Sequence, residues 1–282
     1  VRKPAERAAF QGELGAFSQQ AIRQLLGDAA EPLPCQTFEQ VFLSLKKPGV
    51  TAAVIPIENT LAGSVHENYD HLLRFDYEIR GETSVRINHN LIAAPGVPFS
   101  KVRRVLSHPV ALNQCLSFFA KHPRLEKAPF YDTAGSVKAI MEQGSTEDAA
   151  IASALAAEIY GAHILRRSLE DDRRNFTRFF LLRRPGDKRA LARRAPAGWK
   201  TSLVFSMRNI PGALFRALAA FALRDVNLAK IESRPLRGKP WEYLFYVDLI
   251  GNVEDAAVRN AIGHLEESAD FVRVLGCYPK GA

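Results

Sequence analysis

Five short polar clusters in this chain set hydroxyl, amide and carboxylate side chains beside glycine at points where apolar runs end or helical runs begin. Ligand sites of α/β folds gather at the carboxyl ends of strands, so these are the first places to look for chemistry. QGELGAFS (11–18) places two glycines before a helical stretch. Such a turn either exposes backbone N–H groups to an anion or simply reverses the chain, and it lacks the G-x-G-x-x-G spacing of a dinucleotide site. PIENTLAGSVHEN (56–68) follows the apolar run VTAAVIPI with Glu58, Asn59, Thr60, Gly63 and Ser64, which orient a ligand or cap the next helix.

SHPVALNQC (107–115) ends a strand at Ser107. A helix starting near Pro109 would carry Gln114 along it, and that amide offers both a donor and an acceptor. A Ser107–His108 hydrolase pair is not expected, because adjacent residues at a strand end point apart and no G-x-S-x-G is present. DTAGS (132–136), with Thr133, is another strand-to-helix turn. NFTRFF (175–180) reads as a strand with Asn175, Thr177 and Phe179 on one face and Phe176, Arg178 and Phe180 on the other. Arg178 among aromatics needs a counter-charge, which a carboxylate ligand would supply. Metal chemistry has little support: the seven histidines show no H-x-x-x-H pair, and Cys35, Cys115 and Cys277 are scattered. Cofactor signatures for PLP, flavin and phosphate loops are absent.

The elements that must position these clusters follow from periodicity. Residues 1–185 alternate strands and helices, as in VTAAVIPI before HENYDHLLRF and VRRVLS before VALNQCLSFFAKH. YEIRGETSVRINHNLIAA (77–94) reads as successive strands without a helix, which fits two small α/β lobes joined by crossing strands with a ligand cleft between them. Residues 186–199 read as a linker. Residues 200–282 run strand, helix, strand, strand, helix, strand, the ferredoxin-like split unit, whose open sheet edges favour pairing with a second copy.

The 282 residues carry a net charge of +8. Residues 166–194 hold eleven Lys/Arg against four Asp/Glu, so the excess is local. Nucleic-acid binding through this stretch is the sharper reading, but no nucleic-acid fold signature accompanies it, and a solvated linker after a strand accounts for it. Scattered cysteines, no long apolar run and no secretory core at the start make a reducing cytoplasmic setting the expectation, without membrane or nucleic-acid partners.

Taken in order, GELGAFS, PIENTLAGSV, SHPVALNQC, DTAGS and NFTRFF resemble the prephenate dehydratase family, and NIPGALF (209–215) with IESRP (231–235) resembles the phenylalanine-binding ACT domain that follows it there. The resemblance runs from about Phe10 to Tyr278. Thr60 stands where Ser is commoner in the motif, and the hydroxyl is kept. Residues 1–9 are too short for a fused chorismate mutase and no dehydrogenase domain is seen, so the monofunctional form is expected. The resemblance implies a periplasmic-binding-protein-like two-lobed catalytic domain. It implies conversion of prephenate to phenylpyruvate without a cofactor, feedback inhibition by L-phenylalanine, and a homodimer or homotetramer.

By the same resemblance, Thr177 would serve the departing hydroxyl, with Asn59, Ser107 and Gln114 orienting the substrate and Glu58 assisting. Arg178 would hold a carboxylate, with backbone N–H groups near Gly15 or Thr133. Asn175, Phe179, Thr133 and Ser64 would complete the substrate site. Asn209, Pro211, Gly212, Ala213 and Leu214, with Glu232, Ser233, Arg234 and Pro235, would bind the effector between paired domains. Arogenate as substrate, and a non-catalytic amino-acid sensor, are the competing readings.

Overall fold

The computed structural model describes residues 5–187, 189, 191, 198–236, 238–239 and 241–281. Most of the expected 186–199 linker lies outside the described residues. The chain begins with β1 (Arg7–Gln11), α1 (Phe17–Leu26), β2 (Glu31–Cys35), α2 (Phe38–Ser44) and β3 (Val50–Asn59). Next come β4 (Gly63–Ser64), α3 (His66–Arg74), β5 (Glu78–Arg86) and β6 (Asn90–Ala93). A second α/β run follows: β7 (Arg104–Ser107), α4 (Pro109–Asn113), α5 (Leu116–Lys121), β8 (Glu126–Pro129), α6 (Thr133–Glu142) and β9 (Asp148–Ala152). It ends with α7 (Ala154–Tyr160), β10 (His163–Arg166) and β11 (Phe176–Arg183). The C-terminal part is β12 (Trp199–Ser206), α8 (Ala213–Ala222), β13 (Leu228–Pro235), β14 (Tyr243–Ile250), α9 (Ala256–Ser268) and β15 (Phe271–Pro279), the split order expected.

Three sheets result. One has the order β2-β1-β3-β11-β5 with β4 beside β3, the second β10-β6-β9-β7-β8, and the third β13-β14-β12-β15. The mixed α/β fold has the two expected lobes, each built on one of the first two sheets. β3 is almost wholly buried, which explains its unbroken apolar run AAVI. The second lobe's core packs Leu91, Val105 and Ile151 of the sheet against Leu112, Phe118 and Phe119 of α4 and α5.

By contacts the chain divides into residues 1–65 with 83–179, and residues 66–82 with 180–282. This is not the division at 185 that periodicity suggests. In the second unit α8 and α9 cover one face of the third sheet, with Phe205, Phe221, Val247, Ile262 and Leu265 at its core. Tyr246 alternates with Val247 and so points to the opposite face. There it meets α3: the Tyr69 and Tyr246 rings lie 4.8 Å apart, and the Tyr246 hydroxyl donates to Tyr69 O at 2.9 Å. Arg234 pairs with Asp70 at 3.3 Å and His66 with Glu232 at 3.1 Å. Arg273 donates to the carbonyls of Leu72, Leu73 and Phe75 at the end of α3, where the helix has no N–H partners of its own. A helix next to the NT cluster in sequence therefore belongs by contact to the C-terminal unit.

The turn after β1 needs glycine. Gly15 has φ +90°, and a Cβ there would lie 2.5 Å from Ala156 Cα of α7. The Ser153 hydroxyl closes the approach by donating to Gly15 O at 2.6 Å. Gly15→Ala is expected to lower stability by about 2 kcal/mol through overpacking and a disallowed φ. A lowered urea midpoint at unchanged slope checks this, and an unchanged midpoint contradicts it.

Candidate active site

A cavity of about 240 Å³ opens in the first unit at the carboxyl ends of β1, β3 and β7. One wall carries Gln11, Phe17, Asn59, Ile87 and Thr177, and the other His108, Val110, Ala111, Gln114, Tyr131, Asp132 and Thr133, with His89 from the β5–β6 crossing. A neighbouring recess of about 560 Å³ shares Gln11 and Tyr131.

Asn59 ends β3, and its side chain makes an Asx turn, Oδ1 accepting from Leu61 N at 3.0 Å and Ala62 N at 2.8 Å. Backbone N–H groups only donate, so this contact assigns the amide without ambiguity. Nδ2 then donates to Asn175 Oδ1 at 2.7 Å, Phe176 O at 3.1 Å and Thr177 Oγ1 at 2.9 Å. Asn175 in turn donates from Nδ2 to Gln114 Oε1 at 2.9 Å. Gln114 Oε1 also lies 2.9 Å from His89 Nε2, which must therefore be the donor. His89 is thus the Nε2–H tautomer, and its buried Nδ1 has no hydrogen-bond partner. Burial pushes its pKa below the usual value, opposed by the Gln114 bond and the Glu170 charge, so the neutral ring is favoured. Because Thr177 Oγ1 accepts from Asn59, its own O–H proton remains to donate. Thr60 locks the same corner, accepting from Phe176 N at 3.0 Å while donating to Arg174 O at 2.8 Å.

Gln114 is placed differently from the sequence expectation. The single helix expected through 110–122 is broken: α4 stops at Asn113, Gln114 is its C-cap, and α5 restarts at Leu116. The Asp171 carboxylate accepts from Leu116 N at 2.8 Å and Ser117 N at 3.0 Å, capping the new helix, while Asp171 N donates to Gln114 O at 2.8 Å. A residue 57 positions downstream makes the break, so no local signal reveals it.

Asn59, Gln114, Thr133, Asn175 and Thr177 thus come together, all but Asn175 lining the cavity and Asn175 joining them by hydrogen bonds. Others do not. Ser107 is fully buried and donates to Ile151 O at 2.6 Å. Arg178 donates to Glu58 at 2.9 Å, and alternation puts both on the strand faces opposite Thr177 and Asn59. The counter-charge Arg178 needs is therefore supplied by the protein. Phe179 is buried core, and Ser64 pairs with Glu58 in the β3–β4 register. Neither candidate backbone anion site is open: Gly15 N donates to Gln19 Oε1 at 2.6 Å, and the start of α6 is capped by Asp132, which accepts from Gly135 N at 2.7 Å. Burial raises the Asp132 pKa above the usual carboxylate range.

Gln11, Phe17, His89, His108, Tyr131 and Asp132 complete the wall without having been singled out by sequence. Only His89 had a local signal, the polar triplet NHN set between apolar strands. Among the described residues no cluster of three His, Cys, Asp or Glu side chains has the arrangement to hold a metal ion. No helix there is long and apolar enough to cross a membrane.

In the second unit a pocket of about 330 Å³ is lined by Asn209, Gly212, Ala213 and Leu214 together with Met207, Phe215, Tyr243 and Phe245. Pro211 is not part of that lining. Glu232, Ser233, Arg234 and Pro235 lie on β13, an edge strand, outside this pocket; Glu232 and Arg234 are engaged by α3.

Comparison with known proteins gives a matching picture. Residues 8–187 match the prephenate dehydratase family and residues 201–267 the ACT domain. The Arabidopsis thaliana arogenate dehydratase/prephenate dehydratase 2, chloroplastic, is 44% identical over 286 residues, covering 97% of this chain and 72% of its own. The crystal structure of a prephenate dehydratase from Arthrobacter aurescens in complex with L-Phe has 32% identity and a TM-score of 0.86, covering 97% of this chain and 89% of its own. GqqA, described as a novel type of quorum quenching acylase, has 36% identity and a TM-score of 0.87 over 98% of each chain. With the family match spanning more than half of the chain, this protein belongs to the prephenate dehydratase family of hydro-lyases and carries a C-terminal ACT domain.

Proposed function

We propose that the protein converts prephenate to phenylpyruvate, releasing carbon dioxide and water, and is feedback-inhibited by L-phenylalanine. The observation that carries this reading is the polarity of the Asn59–Thr177 bond, which leaves the Thr177 hydroxyl as a donor at the cavity wall. Prephenate is a cyclohexadienol that becomes aromatic when its ring carboxylate and hydroxyl leave together, so the driving force lies in the substrate. The protein has to hydrogen-bond the departing hydroxyl and hold the ring away from water. A threonine hydroxyl is too weak an acid to titrate, so Thr177 acts as a fixed donor whose bond strengthens as negative charge develops on the leaving oxygen. Phe17, Ile87, Val110 and Ala111 supply apolar wall, which favours loss of carbon dioxide from a poorly hydrated carboxylate.

The same chemistry on arogenate is the second reading, and a specific feature favours it: the cavity lining includes Asp132 and no Lys or Arg, which suits the ammonium group that arogenate carries in place of the keto oxygen. Acyl transfer, named for one structural relative, needs a hydroxyl activated by a base. Thr177 instead accepts from an amide, and Ser107 is spent on a carbonyl.

In this proposal residues 1–185 form the catalytic domain and 200–282 the regulatory domain, joined through 186–199. L-phenylalanine occupies the pocket at Asn209, Gly212, Ala213 and Leu214, with copies paired through the open β13 edge.

The purified protein should form phenylpyruvate from prephenate, or phenylalanine from arogenate, with prephenate turnover suppressed by added L-phenylalanine; turnover of neither substrate overturns the reading. Thr177→Val should lower kcat about a hundredfold or more with the fold intact, and Thr177→Ser should keep part of it; near-normal turnover in the valine variant removes Thr177 from the chemistry. The pH profile gives a further check. Thr177 does not titrate, and the lowered pKa of His89 means that it gains charge only as pH falls below its ordinary value of 6.5. Between pH 7 and 9 kcat should therefore stay level, and a limb centred in that range contradicts the assignment.

A further inference from the structure

His89 is 2% exposed, lines the cavity and has no part in the step given to Thr177. It is nevertheless held from several sides. Its backbone N–H donates to Glu170 Oε2 at 2.9 Å, its carbonyl accepts from Leu169 N at 2.8 Å, and Phe17 meets its ring edge-on at 5.9 Å. The next residue along, Asp171, donates its backbone N–H to Gln114 O. Three consecutive residues, 169–171, thus hold His89 and Gln114 in one fixed relation.

Gln114 Oε1 receives two donors, His89 Nε2–H and Asn175 Nδ2–H, each at 2.9 Å. An oxygen with both lone pairs engaged cannot rotate away without losing both bonds. The other end of the amide, its NH2 group, has no hydrogen bond among the described residues and belongs to a side chain that lines the cavity. Were the amide to flip, an oxygen would take the place of that NH2 and repel an anion.

We propose that His89 is a positioning residue that locks the Gln114 amide with its NH2 toward the ligand, so that the cavity receives a ligand carboxylate on neutral N–H and O–H donors. The inference rests on the dehydratase reading, whose substrate carries two carboxylates. It accounts for an anion site whose lining has no Lys or Arg. It also gives a reason for a buried imidazole with an empty Nδ1, since only the neutral Nε2–H form donates to Gln114 while leaving Nδ1 bare.

The test uses the full chain and phenylpyruvate, an aryl keto acid, as the binding probe in calorimetry, beside steady-state turnover. His89→Phe keeps a ring against Phe17 but removes the donor, and binding should weaken about tenfold or more with KM rising more than kcat falls. His89→Gln, which can return an N–H near the same place, should recover most of the loss. Gln114→Glu keeps an oxygen for His89 and Asn175 but replaces the NH2 by an acceptor, and it should bind weakest; it stands in for His89→Phe if that variant does not fold. Long-range proton–nitrogen NMR of the ligand-free protein should show His89 as the Nε2–H tautomer. An Nδ1–H tautomer, wild-type binding in Gln114→Glu, no recovery in His89→Gln, or a wild type that does not bind phenylpyruvate overturns the proposal. If the binding pattern holds while neither prephenate nor arogenate turns over, the dehydratase reading falls and this inference stands.

Discussion

Two backbone N–H groups, those of Leu61 and Ala62, meet Asn59 Oδ1, and because they can only donate they decide the direction of every hydrogen bond that follows. Asn59 must donate to Asn175 and Thr177, Asn175 must donate to Gln114, and His89 must donate to the same oxygen. Amide side chains are ordinarily ambiguous, since either end can face either way. Here a local turn of three residues removes the ambiguity for residues up to 118 positions away. The chemistry of the cavity, donors available and acceptors engaged, is a consequence of that one turn.

The charged side chains near the site are occupied with one another. Arg178 is matched by Glu58, Asp171 caps α5, and Asp132 caps α6. Each arrangement removes the large penalty of an unpaired buried charge, and each also takes that charge away from a ligand. What remains at the cavity wall is mostly neutral hydrogen-bonding groups on an apolar ground. Such a wall binds by geometry, which suits a reaction whose driving force lies in the substrate and whose need is orientation.

The C-terminal unit is held by a different logic. Its third sheet is covered on one face by its own two helices, while the aromatic side of α3 lies on the other face through Tyr69 and Tyr246. Arg273, from the last strand, satisfies carbonyls at the end of α3 that no helical N–H can reach. Glu232 and Arg234, read from sequence as effector contacts, spend their charges on His66 and Asp70 of this helix.

The sequence by itself determined the element order, the split βαββαβ unit and the family, because those rest on local periodicity and on short motifs at strand ends. It also marked Asn59, Gln114, Asn175 and Thr177, whose polar types stand out after buried strands. It could not show that Ser107 turns inward, that Arg178 finds Glu58 on the far face, or that Asp171 splits a helix 57 residues earlier. His89 was missed because a histidine's role depends on which nitrogen meets a partner, and its partner lies 25 residues away. Tertiary structure alone decided these points: a polar side chain is a ligand contact or a structural one according to whether the fold supplies another partner first, and that partner is rarely a neighbour in sequence.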